Sequence, residues 1–283
     1  MAIARHGTGP RAALGGLASQ IHPVFMLPPI ASSWFGATLA GQFGLLVGTV
    51  HAVAIFSAVY TAHVKDGYVD FHVRGEDDDH PLTERGCRGA LVGITLVFVA
   101  CLALLWVLVG RGAALITAPT WFIGYHHAPQ LDTNPVTATT GYPLGIALAI
   151  TGGYYVQTAT LSVLPVAFAL VFLVLLSGVK VIDDAQDYEY DRSIEKRTVA
   201  VVLGRVRARQ VAYGLMAVGL VSVLGLAAVG VFPPSTALAV AAFVAVAAMT
   251  VRTGPELSTM LLIRGTYVFL ALLLVAVWFR PLS

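Results

Sequence analysis

Four aspartates near residue 187 set the first constraint on this chain. Asp183, Asp187 and Asp191 follow at intervals of four, and Asp184 precedes the latter two by three and seven. On a helix, positions i, i+3, i+4 and i+7 share one face, so the spacing predicts four carboxylates aimed into one small volume. Like charges that close raise one another's pKa and strain the helix unless a cation neutralises them. A place near a helix C-terminus aggravates the conflict, because that end of the dipole is already negative. A divalent metal bound by oxygen ligands resolves it; a solvated, charged connecting helix is the plainer alternative.

A second acidic group lies upstream, in Lys65-Asp66-x-x-x-Asp70 and the run Glu76–Asp79. Thirteen of the fifteen acidic residues fall within residues 66–84 and 183–195. Lys65, Arg74, Lys196 and Arg197 flank them, giving a mixed field of anions and cations. Carboxylates alone would hold a metal; added Lys and Arg imply a shared anion, which a diphosphate would be. Mg²⁺ keeps several waters and binds through a few carboxylates plus substrate phosphates, so it suits open acidic clusters. Tyr125, Tyr154, Tyr155 and Gln157, with His126 and His127, are polar residues at membrane level and read as cavity lining. Interfacial anchoring is the alternative for the aromatic ones.

The elements that carry these residues are membrane helices. The 283 residues are 57% hydrophobic and 11% charged, with mean hydropathy +0.81, a balance that excludes a soluble globular domain. The net charge of +2 is segregated into short segments and implies no nucleic-acid partner. Runs of about twenty mostly apolar residues predict nine helices. They are Ile21–Ala40, Gly44–His63, Arg88–Val109, Gly112–Tyr125, Gly141–Gln157, Leu161–Ile182, Gln210–Val231, Ser235–Val251 and Leu257–Phe279. The fourth is short, and Gly152 and Gly153 weaken the fifth. With the N-terminus cytoplasmic, fourteen Lys and Arg fall on the cytoplasmic side against Arg111 and Arg280 opposite, and Arg264 lies inside the last helix. Both acidic segments, residues 63–88 and 180–209, then share the cytoplasmic face. Each acidic motif follows the second helix of a four-helix unit, a faint internal repeat. A duplicated unit plus a ninth helix, a single domain over 1–283, would frame a central cavity open to that face. Residues 1–20 lack a short apolar core with a cleavage site, so the first helix is expected to be retained. Cys87 and Cys101 have no metal-type spacing and are read as neither disulfide nor ligands.

The stretch Asp183–Gly204, with DxxxD followed by DRSIEKRTVAVVLG, resembles the second aspartate-rich motif of the UbiA-type intramembrane prenyltransferases. Gly152–Ser162 and Tyr125-x-x-Ala-Pro, with the run Asp187–Arg192, are similar to the branch that prenylates 1,4-dihydroxy-2-naphthoate for menaquinone. The resemblance implies a nine-helix all-α membrane fold. It also implies Mg²⁺-dependent ionisation of an allylic polyprenyl diphosphate and capture of the cation by a lipophilic, aromatic acceptor. On that reading Asp66, Asp70, Asp183, Asp184, Asp187 and Asp191 hold the metal, and Asp66, Asp70, Asp187 and Asp191 are catalytic. Lys65, Arg74, Tyr125, Lys196 and Arg197 hold the diphosphate, and Tyr154, Tyr155 and Gln157 line the acceptor or prenyl cavity. The first motif departs from the family's NxxxDxxxD: Asp66 replaces Asn, and Arg74 stands at the third acidic position. Glu76 or Asp77 would supply the missing carboxylate, while Asp78 and Asp79 read as a solvated loop. Glu195 stands where the family has Gly, and Gln186 where the branch has Arg.

Other acceptors remain open on this reading, namely a glycerol-phosphate lipid, a carotenoid or hydroxybenzoate. An ion-coupled transporter is the competing class, but carriers place ionisable groups near the bilayer midplane rather than at helix ends. A phosphatidyl-transferring enzyme would need Ala-Arg soon after Asp66-Gly67-x-x-Asp70, and none follows.

Overall fold

A computed structural model describes residues 3–282, and among them the fold is helical, with one isolated bridge between Ala4 and Leu82. The helices are α1 (Gly9–Ala18), α2 (Pro23–Leu39), α3 (Leu45–Gly67), α4 (Glu84–Leu108), α5 (Arg111–His126) and α6 (Pro135–Thr158). They continue as α7 (Val163–Gln186), α8 (Tyr188–Ser193), α9 (Val199–Leu203), α10 (Arg205–Ala228), α11 (Thr236–Thr250) and α12 (Pro255–Phe279). Each apolar segment read from the sequence falls on one of these helices. Among the described residues, five helical stretches are long and apolar enough to cross a membrane: Leu45–Arg74, Glu84–Leu108, Val163–Gln186, Arg205–Ala228 and Glu256–Phe279. By contrast, α2, α5 and α11 have 17, 16 and 15 residues. At about 1.5 Å per residue they fall short of a hydrocarbon core about 30 Å thick.

The chain divides into two compact units, Met1–Leu131 with Thr151–Thr160, and Asp132–Ile150 with Leu161–Ser283. In the first, α3 is the central strut. It does not stop at His63, as the apolar run predicts, but continues as a π-helical extension, Tyr68–Arg74, and ends at Gly75 with φ 67°. No residue before Gly75 forces a stop, and the extension therefore carries Asp66, Asp70 and Arg74 on helix rather than loop. Thr83 starts α4 by accepting a hydrogen bond from the Gly86 amide at 2.9 Å. Glycines let backbones touch: a Cβ on Gly124 of α5 would strike the Ala58 carbonyl of α3, and one on Gly153 would strike Ser33. Gly152 and Gly153 are thus contact points in a continuous α6, not interruptions. His51 is buried beside them and its Nδ1 lies 2.7 Å from Ser33 Oγ.

In the second unit α7 runs against α10. A Cβ on Gly178 would come within 2.6 Å of the Ala212 carbonyl oxygen, and Gly219 sits on Leu175. Phe168 stacks on Phe232 at 3.9 Å and Phe172 meets Phe269 at 5.6 Å, all in the core. This packing fixes the C-terminal end of α7, from which the second acidic motif projects.

Candidate active site

The second motif is built at the end of α7. The continuous helical face predicted from the aspartate spacing is not formed: the helix ends at Gln186, Asp187 leaves α geometry at φ −89° and ψ 15°, and α8 restarts at Tyr188. The break divides the four aspartates between two helices, Asp183 and Asp184 on α7 and Asp191 on α8, with Asp187 at the junction. Asp191 is nonetheless buried, and so is Asp184. Lys180, one turn earlier on α7, donates to Asp183 Oδ2 at 3.0 Å and to Asp184 Oδ1 at 2.5 Å. Lys180 was absent from the residues singled out by sequence, although its i, i+3, i+4 relation to the two acids carries the signal. Lys196 folds back on the same group: its amide donates to the Asp191 carbonyl at 2.9 Å, and Nζ lies 4.0 Å from Asp191 Oδ1.

Burial pushes the Asp191 carboxyl up to about 6, with Asp184 and Asp187 adding to the effect and Lys196 and Lys180 opposing it. Asp187 is raised as well, by burial and by Asp183, against the same two lysines. Two ammoniums therefore do not fully offset four carboxylates. Arg197, exposed, is anchored through its amide to the Asp132 carbonyl at 3.0 Å. Beside this group an apolar cleft of about 490 Å³ is lined by α6, α7, α9 and α10, through Val136, Thr139, Leu173, Ser177, Val202 and Leu215.

The first motif occupies the end of α3 and its extension. Arg74 Nη1 lies 3.5 Å from Asp70 Oδ1, and Nε lies 3.6 Å from Glu76 Oε1. The positive φ of Gly75 turns the chain so that the Glu76 amide donates to the Asp70 carbonyl at 2.7 Å. Glu76, rather than the exposed Asp77, is the acid brought to this motif. Arg74 thus takes an internal cation's position between two carboxylates. Asp79 is exposed as expected but is held by Arg5 at 3.1 Å and His6 at 2.9 Å. Lys65 Nζ sits 5.2 Å from the Tyr125 ring centre and 5.5 Å from that of Tyr68, and Trp121 stacks on Tyr125 at 4.9 Å. The structure thereby brings Lys65 and Tyr125 together.

Gln157 lies at the other end of α3. Its side chain accepts from the Gly44 amide at 2.6 Å and donates to the Gly44 carbonyl at 3.2 Å, closing the turn between α2 and α3. That turn is at the N-terminal end of α3, roughly 30 Å along the helix from Asp66. Its polar atoms serve the turn. Tyr155 packs at the same end, against Gly112, Leu105 and Val156. Tyr154, half-buried on the same turn of α6, receives no contact that marks a cavity.

Residues 25–273 match the UbiA prenyltransferase family, which is most of the chain. The chain belongs to the UbiA prenyltransferase family. This UbiA protein is a prenyltransferase with an all-helical fold of the integral-membrane type. One similar solved structure, described as digeranylgeranylglyceryl phosphate synthase in membranes, has TM-score 0.73 and 11% identity over 94% of this chain and 98% of that one. A UbiA homologue from Archaeoglobus fulgidus bound to DMAPP and Mg²⁺ gives TM-score 0.66 and 18% identity, covering 94% and 99%. A homologue from Aeropyrum pernix K1 gives 0.67 and 16%, covering 90% and 98%. No curated protein matches the chain in sequence.

The donors fit the metal that the family implies. The second motif offers carboxylate oxygens alone, the hard ligands Mg²⁺ prefers. Asp184 Oδ2 is buried without a hydrogen-bond partner among the described residues. An uncompensated acceptor of that kind is a ready cation ligand.

Proposed function

We propose that this UbiA prenyltransferase transfers a polyprenyl group from an allylic polyprenyl diphosphate to a lipophilic aromatic acceptor of the dihydroxynaphthoate class. The observation that carries the reading is the group of Asp183, Asp184, Asp187 and Asp191, two of them (Asp184 and Asp191) buried, which has Lys180 and Lys196 as its only cations within ion-pair reach among the described residues. Mg²⁺ held by these four aspartates would neutralise charge on the departing diphosphate, and Asp66 and Asp70 of the first motif are carboxylates of the same kind. Lys196 and Arg197 supply donors to its non-bridging oxygens, and Lys65 is a further ammonium in the first motif. Arg74, paired with Asp70 and Glu76, keeps the first motif near neutrality and can turn one guanidinium edge to the anion. The C1–O bond of the allyl group breaks with its electron pair leaving on the diphosphate. The acceptor atom then bonds to C1 and releases its proton. Tyr125, already holding an ammonium at its ring, has an aromatic surface that stabilises positive charge. Apolar helices keep water from the allylic cation, and the cleft beside α9 has the volume and lining for hydrocarbon.

Both acidic motifs are placed at the cytoplasmic face on this reading, by the distribution of Lys and Arg. A glycerol-phosphate lipid is the second acceptor class, favoured by the activity named for one fold neighbour. Membranes carrying the protein, given geranylgeranyl diphosphate and Mg²⁺, are to be screened with dihydroxynaphthoate, hydroxybenzoate, a glycerol-phosphate lipid and a carotenoid. A prenylated product from dihydroxynaphthoate is expected, and product from the lipid alone would replace that acceptor. Asp187→Ala and Asp191→Ala are each expected to lower diphosphate release by at least about a hundredfold, the usual scale for losing one preorganised electrostatic partner. Unchanged turnover in either folded variant would sink the mechanism.

A further inference from the structure

The loop between α3 and α4 assembles a second group of metal-binding side chains that the acidic motifs do not use. His72 comes from the π-helical extension, His80 from the loop and Cys87 from the first turn of α4. One ligand atom from each lies within 4.8 Å of the other two. Cys87 Sγ is 3.9 Å from His80 Nδ1, and His72 Nε2 and His80 Nδ1 are each 3.1 Å from the Leu82 carbonyl oxygen. His80 is 4% exposed and Cys87 is fully buried. We propose that His72, His80 and Cys87, with the Leu82 carbonyl, form a site for a borderline-soft divalent metal of the Zn²⁺ class, separate from the Mg²⁺ ligands.

The chemistry selects that class. Two imidazole nitrogens and a thiolate are a Zn²⁺ donor set, whereas Mg²⁺ takes oxygen. Tetrahedral bonds of about 2.0 Å to nitrogen and 2.3 Å to sulfur put neighbouring ligand atoms roughly 3.3 to 3.6 Å apart. The observed separations bracket that distance, so small side-chain rotations close the cage. Without a metal the packing is awkward. His80 Nδ1 faces both the Leu82 amide, at 3.2 Å, and the Leu82 carbonyl, at 3.1 Å, and a single tautomer satisfies only one of them.

The surrounding chain is built to hold these ligands. The Arg5 amide donates to the Pro81 carbonyl at 2.9 Å and the Thr83 amide to the Ile3 carbonyl at 2.9 Å, so the N-terminal segment straps the loop on both sides of Leu82. Arg5 also lies 4.3 Å from the ring centre of Phe71, next to His72. Gly67 provides the space for the His80 ring, since a Cβ there would fall 2.5 Å from Nε2. A metal here would tie the end of α3 to the start of α4, and so fix the turn that presents Asp70, Arg74 and Glu76.

The test uses the full chain in detergent, freed of metal and titrated with Co²⁺. A thiolate-to-cobalt charge-transfer absorption is expected, saturating near about one equivalent, displaced by Zn²⁺ and indifferent to excess Mg²⁺. Cys87→Ser should abolish the band and weaken Zn²⁺ binding by more than the 10–100-fold, roughly, that loss of an outer-shell partner costs. His72→Gln, at a half-buried position, should weaken Zn²⁺ comparably and stands in if Cys87→Ser fails to fold. Asp187→Ala should retain the band. Absence of the band in the folded wild-type chain, unchanged Zn²⁺ affinity in His72→Gln, or loss of the band in Asp187→Ala would overturn the site.

Discussion

Asp191 shows how burial converts an ordinary carboxylate into a metal-dependent one. Its raised pKa means that the folded, metal-free protein binds a proton that the unfolded chain releases in the ordinary carboxylate range. The folded state therefore holds more protons between that range and about 6, and metal-free stability falls as pH rises through this window. Mg²⁺ competes with that proton. Below about pH 6 the Mg²⁺ concentration giving half-maximal activity should rise, approaching about tenfold per pH unit if one proton is displaced. Thermal stabilisation by Mg²⁺ should correspondingly be larger at pH 7.5 than at pH 5, on the order expected of simple linkage. A Mg²⁺ requirement that does not change across this range would show that Asp191 is not a ligand. The spacing of the aspartates marks the segment, but the break at Asp187 that divides it between two helices leaves no periodic signal. Lys180 was equally legible but reads as a topological charge until its two ion pairs are seen. Asp70 as a partner of Arg74 was legible from its i, i+4 spacing, whereas the choice of Glu76 over Asp77 depends on the backbone turn at Gly75.

Among the elements, the apolar cores of the long helices follow directly from hydropathy, and their ends do not. The α3 helix runs past its apolar run into the first motif, and α7 breaks inside the second, because local charge and turn geometry decide termini. The short helices α8 and α9 gave no hydropathy signal; α9 is capped by Thr198, which accepts from the Val201 amide at 3.3 Å. The connection between them contains Glu195 at φ 60°, a left-handed conformation that favours glycine. The resemblance to the family implies Gly at this position, and a positive φ is the conformation that Gly adopts most readily. Left-handed geometry costs a non-glycine residue roughly 1–2 kcal/mol, partly offset by glycine's larger entropy loss on folding. Glu195→Gly should therefore raise stability by about 0.5–1 kcal/mol with activity retained, read as a higher Tm in detergent. A lower Tm would mean that the Glu195 side chain holds the turn.

For the molecule as a whole, orientation in the bilayer is a matter of charge distribution. Fourteen Lys and Arg fall in segments assigned to one side, and Arg111 and Arg280 to the other. If cations are retained on the cytoplasmic side, both acidic motifs are expected inside the cell, where a soluble diphosphate product would be released. The native cysteines are buried, which leaves a low background for labelling introduced ones. Ser193, the last residue of α8, and Thr160, between α6 and α7, are both exposed. With an impermeant maleimide, Thr160→Cys should react in intact cells, and Ser193→Cys should react only after the membrane is opened. An intermediate pattern, with both sites shielded in intact cells, would place the α6–α7 turn inside and break the alternation of helices on which the orientation rests. Reversed labelling would put the diphosphate site on the outer face, away from cytoplasmic Mg²⁺ and isoprenoid diphosphates, and the proposed reaction would lose its supply of substrate.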